Sequence, residues 1–169
     1  MTTEDPGTPH GLPPEADRAV VRESITMGLY ITISLLGVLT VQPEGSTTSS
    51  ALTILWGTTL GLSLAHWLAF RLTAHLFSGA ELPLHDRRAM AGQALAAAAV
   101  AALATVPIVL QGGAGLALSR AVLAGLVGLF AFGAARRHGG SIVRALVYGL
   151  VVMLIATAVA LSKYLLTGH

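Results

Sequence analysis

Five long apolar runs dominate the 169-residue chain and constrain it more than any other feature. Short segments containing glycine, proline or serine separate them, and these residues commonly interrupt helices. An apolar helix of about 20 residues crosses a hydrocarbon layer of ~30 Å. The runs therefore predict membrane spans at about residues 24–42, 51–77, 90–110, 116–135 and 142–166.

The composition supports this interpretation, because 54% of the residues are hydrophobic, only 11% are charged and the mean hydropathy is +0.74. A soluble domain usually has about 25% charged residues. The runs are also too long, and too rich in alanine and leucine, for the alternating strands of a membrane barrel. We therefore expect an all-α, polytopic transmembrane bundle, with residues 19–169 forming a single domain.

The first 18 residues differ from the rest of the chain, since they combine several prolines and glycines with acidic side chains. Such a segment lacks the apolar residues needed to fold, and we expect a disordered acidic tail. It also lacks the basic start of a secretory signal. The first span is therefore expected to stay in the protein as an anchor.

Positive charge is distributed unevenly between the two sides of a five-span arrangement. Positively charged flanks are retained in the cytoplasm, so the richer side marks the cytoplasmic face. This predicts a cytoplasmic N-terminus and an external C-terminus, and it supports five spans independently of hydropathy. Eight arginines share one side, namely Arg18, Arg22, Arg71, Arg87, Arg88, Arg136, Arg137 and Arg144, whereas Arg120 and Lys163 lie on the other.

Catalytic and cofactor-binding motifs are missing from the sequence. There is no cysteine, which excludes disulfides, thiolate nucleophiles and cysteine metal sites. Neither a zinc-protease motif, a serine elbow, a phosphate loop nor a dinucleotide fingerprint is present. We therefore expect no catalytic residue, metal or cofactor, and the basic residues at span ends give no reason to expect nucleic-acid binding.

Small residues recur at intervals that allow helices to pack closely. Their spacing leaves open whether the partner is another helix of the chain, a second copy or another membrane protein. The candidate packing residues are Gly57, Gly61 and Ala65 in the second span and Gly125 and Gly128 in the fourth.

Polar residues form two stripes at helical spacing, one on each of the first two spans. Their short connection makes these spans antiparallel neighbours, so the stripes could form a polar seam. Polar residues in a membrane helix can instead bond to their own backbone or to a neighbouring helix and serve structure alone. The candidate seam comprises Glu23, Thr26, Tyr30 and Ser34 with Thr59, Ser63 and His66, and the candidate partners of Glu23 are Arg71, Gln93 and Arg144.

The cytoplasmic loops suggest a second kind of contact. Arginines near a membrane surface attract anionic headgroups, although the same residues would also determine topology. The candidate headgroup ligands are Arg87, Arg88, Arg136 and Arg137.

Four features of the sequence occur together: a short acidic tail, Glu23 at the start of the first span, the segment Leu64-Ala65-His66 in the second, and a fifth span that ends near residue 169. In these features the chain resembles uncharacterised five-helix integral membrane proteins of high-GC Gram-positive bacteria. The resemblance implies a multi-pass protein of the bacterial plasma membrane. It implies no catalytic residue.

The sequence favours a non-enzymatic accessory or interaction component of the plasma membrane, because packing residues are abundant and reactive ones are sparse. The alternative is a small proton or ion translocator using the seam between the first two spans. A third possibility is binding of anionic lipid at the inner face.

Overall fold

The computed structural model describes residues 14–43, 45–78, 84–137 and 139–166. These segments contain helices and no strand, so the prediction of an all-α chain is confirmed for them. The five α-helices are α1 (Pro14–Thr40), α2 (Thr48–Ser78), α3 (Leu84–Gln111), α4 (Gly115–Arg137) and α5 (Ile142–Leu166), with a 3-10 turn at Gly112–Ala114 between α3 and α4.

Four helical stretches are long and apolar enough to cross a membrane: Arg18–Thr40, Thr48–Thr73, Arg87–Arg137 and Ile142–Val159. The third has 51 residues and contains α4 and all but the first three residues of α3. Long apolar helices were predicted, and the structure confirms them within the described residues.

Two helix starts illustrate the local chemistry. α1 begins at Pro14, earlier than the predicted Ser24, and so includes the last residues of the predicted disordered tail; residues 1–13 lie outside the described part of the chain. Proline suits a first helical position because the amide hydrogen it lacks would have no helical partner there. At the start of α2 the Thr47 hydroxyl accepts a hydrogen bond from the Ser50 amide at 3.2 Å, which caps the helix.

α1 is the central helix of the bundle and contacts each of the other four. Its residues Met27, Ile31, Leu35 and Leu39 are buried at regular helical spacing. α3 and α4 pack against this face, and α5 contacts α4 and α1. The core of the molecule is therefore built around α1.

Contacts between distant residues show how the helices alternate in direction. Glu23 near the start of α1 bonds to Gln93 near the start of α3, whereas Arg120 near the start of α4 bonds to Leu39 near the end of α1. α1 and α3 thus run in the same direction and α4 in the opposite one, as does α2, since Trp56 near its start bonds to Thr105 near the end of α3. We call the end that holds the start of α1 and the end of α4 the arginine-rich end, and the other the opposite end.

The connection between α3 and α4 brings two backbones unusually close. A Cβ atom on Gly115 would overlap the carbonyl group of Pro107, so only glycine fits this position. The Ser119 hydroxyl, which is buried, donates a hydrogen bond to the Ala104 carbonyl oxygen at 2.6 Å. These contacts fold α4 back along α3 as a helical hairpin.

α2 packs on the bundle over only part of its length. Ala51, Leu55 and Thr59, in its first half, are buried. Beyond this point the exposed side chains include Leu64, Leu68, Leu72 and Leu76. The second half of α2 is therefore only loosely covered by α1 and α3.

Candidate functional site

The loose packing of α2 leaves an open cleft between its second half and α1. We call this cavity the α1–α2 cleft; its volume is about 620 Å³. Its lining mixes polar and apolar side chains: Arg22, Glu23, Thr26, Met27, Tyr30, Leu62, Ala65, His66, Phe70 and Gln93.

Glu23 and Gln93 form the polar centre of the cleft. The Gln93 Nε2 group donates a hydrogen bond to Glu23 Oε2 at 3.2 Å. Gln93 is only 7% exposed, whereas Glu23 is half-buried and borders the cavity. A buried amide thus fixes the carboxylate while leaving it open to the cleft.

His66 connects this cleft to a second one. The α2–α3 cleft, with a volume of about 320 Å³, lies on the other side of α2, and both clefts are lined by Met27, His66 and Gln93. Ser63 lines the second cleft. His66 is an exposed side chain at the junction of the two clefts.

The clefts end where the helices close together toward the opposite end. Ile31 and Leu35 of α1, Leu55 of α2 and Ala101 and Ala104 of α3 are fully buried beyond the cleft. Trp56 Nε1 also donates a hydrogen bond to Thr105 Oγ1 at 3.1 Å, which links α2 to α3 there. The two clefts therefore lie in the half of the bundle near the arginine-rich end.

Several members of the predicted seam are held by their own helices. The Thr26 hydroxyl donates to the Arg22 carbonyl oxygen at 2.9 Å, and the buried Thr59 hydroxyl donates to that of Leu55 at 2.8 Å. Ser34 lines neither cleft. The structure thus brings together Glu23, Thr26, Tyr30 and His66 around one cavity and leaves Thr59 and Ser34 out.

Of the three candidate partners of Glu23, Gln93 is the one that bonds to it. The Arg71 guanidinium instead lies 5.2 Å from the ring centroid of Trp67, a cation–π arrangement on α2. Arg144 is exposed, and its backbone amide donates to the Ser141 hydroxyl at 3.3 Å.

The small residues fall into two groups. A Cβ atom on Gly128 would lie 3.4 Å from the Gly149 carbonyl oxygen, so α4 and α5 pack closely there. Positions 57, 61 and 125 are different, because a Cβ atom on Gly57, Gly61 or Gly125 would meet nothing within 4 Å. Ala65 is exposed at the edge of the α1–α2 cleft.

The four arginines predicted to bind lipid headgroups lie in different surroundings. Arg87 and Arg88 are exposed, and the Arg136 guanidinium donates a hydrogen bond to the Gly140 carbonyl oxygen at 2.9 Å. Arg137 borders a further cavity together with Arg18 and Arg22.

Arg120 has a role that its sequence position does not reveal. Its Nε and Nη2 groups donate hydrogen bonds to the carbonyl oxygens of Leu39 at 2.8 Å and Gln42 at 3.0 Å. These carbonyls lie at the end of α1, where helical partners run out. Arg120 therefore joins α4 to the end of the central helix.

No group of three or more histidine, aspartate or glutamate side chains that could hold a metal ion occurs among the described residues.

Comparison with known proteins adds no functional information, since no family model, curated protein or solved structure matches the chain.

Proposed function

We propose that this chain is a non-enzymatic, multi-pass protein of the bacterial plasma membrane that crosses the bilayer five times. The 51-residue apolar stretch supplies two crossings, because α3 and α4 fold back on each other within it. The N-terminus lies in the cytoplasm and the C-terminus outside, as the excess of arginine at the arginine-rich end favours.

We infer that its activity is the binding and translocation of a proton or small cation through the α1–α2 cleft. The observation that carries this proposal is the Glu23–Gln93 pair, which presents a carboxylate to a cavity also lined by Tyr30 and His66. Polar groups facing a cavity among membrane helices are characteristic of ion and proton pathways.

The α1–α2 cleft lies in one half of the bundle, so translocation requires a second arrangement of α2. In this scheme the present arrangement accepts a proton or cation from the cytoplasmic side. Separation of α2 from α3 near Trp56 and Thr105 would then give access from the other side. The loosely packed second half of α2 could close against α1 in that step.

The test is flux into liposomes containing the purified protein. A pH-sensitive dye trapped inside reports protons, and Na⁺ and K⁺ indicators report cations, under an imposed gradient. We expect Glu23→Gln and His66→Asn to lower the rate at least about ten-fold, equivalent to ~1.4 kcal/mol in the barrier. His75→Asn is the matched control, because this histidine is exposed on α2 and lines neither cleft.

The control variant is expected to keep the wild-type rate. Wild-type vesicles that are as tight as protein-free vesicles to protons, Na⁺ and K⁺ alike would rule out translocation. Equal losses of flux in His66→Asn and His75→Asn would show that the flux does not depend on the cleft.

A second candidate function, an accessory component that binds another membrane helix, is favoured by the open surface at Gly57 and Gly61. Glycines four residues apart allow a partner helix to approach closely, whether from a second copy or from another membrane protein. The absence of cysteine in the chain permits a clean test of this surface.

In native membranes, the cysteine of Gly61→Cys is labelled with a photoreactive group. We expect it to crosslink to the partner helix and give an adduct of one discrete mass. Leu129→Cys is the control, since Leu129 is 64% exposed on α4. Adducts that form equally at both positions, or at neither, would contradict the accessory function.

A further inference from the structure

A third cavity lies between α1 and the end of α4, next to the α1–α2 cleft, with which it shares Arg22 and Thr26. We call it the α1–α4 pocket; its volume is about 410 Å³. Its lining combines three arginines with three smaller side chains: Arg18, Val21, Arg22, Ile25, Thr26 and Arg137. Positions 18, 22 and 25 recur at helical spacing, so they share one face of α1.

Three positive charges meet at this pocket. Arg18 and Arg22 are four residues apart on one helix, and like charges at this spacing destabilise the helix. Arg137, the last residue of α4, adds a third guanidinium from a different element. An anion in the pocket would relieve this repulsion.

Glu23, which follows Arg22 in the sequence, takes part in a different cavity. Glu23 borders the α1–α2 cleft and accepts the hydrogen bond from Gln93, and it does not line the α1–α4 pocket. Arg22 and Thr26 line both cavities, whereas Arg18 and Arg137 line the α1–α4 pocket and not the α1–α2 cleft. Those two arginines therefore allow the pocket to be altered without changing the cleft lining.

The chemistry of the lining selects a particular kind of anion. Guanidinium groups bind phosphate oxygens through paired, charge-assisted hydrogen bonds. Val21, which is 50% exposed, and Ile25 add an apolar surface on the same helix. A ligand that carries a phosphate beside a hydrocarbon chain satisfies both parts of the lining.

We propose that the α1–α4 pocket binds the phosphodiester of an anionic membrane phospholipid, held by Arg18, Arg22 and Arg137 with its acyl chain along Val21 and Ile25. The proposal rests on the membrane placement given above, with the arginine-rich end at the headgroup layer. It does not depend on translocation through the α1–α2 cleft. It also differs from general attraction to surface arginines, because it assigns one pocket and three side chains.

The test is native mass spectrometry of the protein released from bilayers of phosphatidylglycerol and phosphatidylcholine. We expect the wild type to retain one phosphatidylglycerol, and the Arg18→Gln/Arg137→Gln variant to bind it at least about ten-fold more weakly, or ~1.4 kcal/mol. The matched control is Arg87→Gln/Arg88→Gln, which removes the same charge from exposed residues at the same end. Its retention should stay within about two-fold of wild type.

Three results would overturn the proposal. Equal loss in the two double variants would indicate general surface charge, and undiminished binding in both would place the lipid elsewhere. The third result comes from offering inorganic phosphate alone. If phosphate binds in a way that depends on Arg18 and Arg137, and phosphatidylglycerol is not retained, the pocket binds a soluble anion. Helical circular dichroism of both variants, which should match wild type, excludes misfolding as the cause of a loss.

Discussion

Replacing Gly115 with alanine should lower the free energy of unfolding by about 3 kcal/mol. The new Cβ atom would overlap the backbone carbonyl of Pro107, so one of the two helices must shift. Backbone cannot rotate away as a flexible side chain can, and the cost should therefore lie in the upper part of the usual range for overpacking. The same shift would strain the bond between Ser119 and the Ala104 carbonyl.

Gly125→Ala is the matched control for this prediction. It makes the same chemical change in the same helix, but its Cβ atom would meet nothing within 4 Å. Alanine is a better helix former than glycine, so this variant should be as stable as wild type or up to about 1 kcal/mol more stable. Unfolding in mixed micelles, followed by circular dichroism, measures both variants. If the two substitutions have equal effects, the close approach of α3 and α4 is wrong.

Hydropathy predicted the helices but not all of their ends. Apolar runs locate the segments that lipid or core must cover, and the observed α5 has the predicted bounds of 142–166. The start of α1 was missed because its first turns carry polar residues, and a helix can continue beyond the apolar run that identifies it. The Pro14 start is therefore a feature of backbone chemistry that hydropathy does not report.

The candidate site was only partly predictable, since depth along a helix is easier to estimate than rotation about its axis. Depth alone made Arg71, Gln93 and Arg144 comparable partners for Glu23. The rotation of α3 brings Gln93 to the carboxylate, whereas Arg71 lies over Trp67 on its own helix. No pattern in the sequence indicates that the second half of α2 is only loosely packed, because that depends on how α1, α2 and α3 pack together.

Two further features of the structure could not be predicted from residue spacing alone. The sequence places Arg120 only on the side opposite the other arginines, whereas in the structure its long side chain bonds to the last carbonyls of α1. The spacing of Gly57 and Gly61 predicted close packing, but spacing cannot show which face of α2 meets the bundle. Both outcomes depend on contacts between residues far apart in the sequence.

The central claim is that the α1–α2 cleft is a wet space reached from the cytoplasm. Single cysteines can test it directly, because the chain contains none of its own. Ala65 lines the cleft, whereas Leu68 is 54% exposed and lines neither cleft, so we infer that it faces lipid. Leu68 also lies about 4.5 Å nearer the arginine-rich end along α2, so depth alone would favour its reaction with water-borne reagents.

The decisive measurement is the rate at which a charged, membrane-impermeant thiol reagent modifies Ala65→Cys and Leu68→Cys in oriented vesicles. Thiolates form in water and not in hydrocarbon, so the cleft position should react at least about ten-fold faster despite its greater depth. The reaction should require the cytoplasmic face to be exposed to the reagent. Equal rates at the two positions, or labelling of Ala65→Cys only from the outer face, would contradict the account.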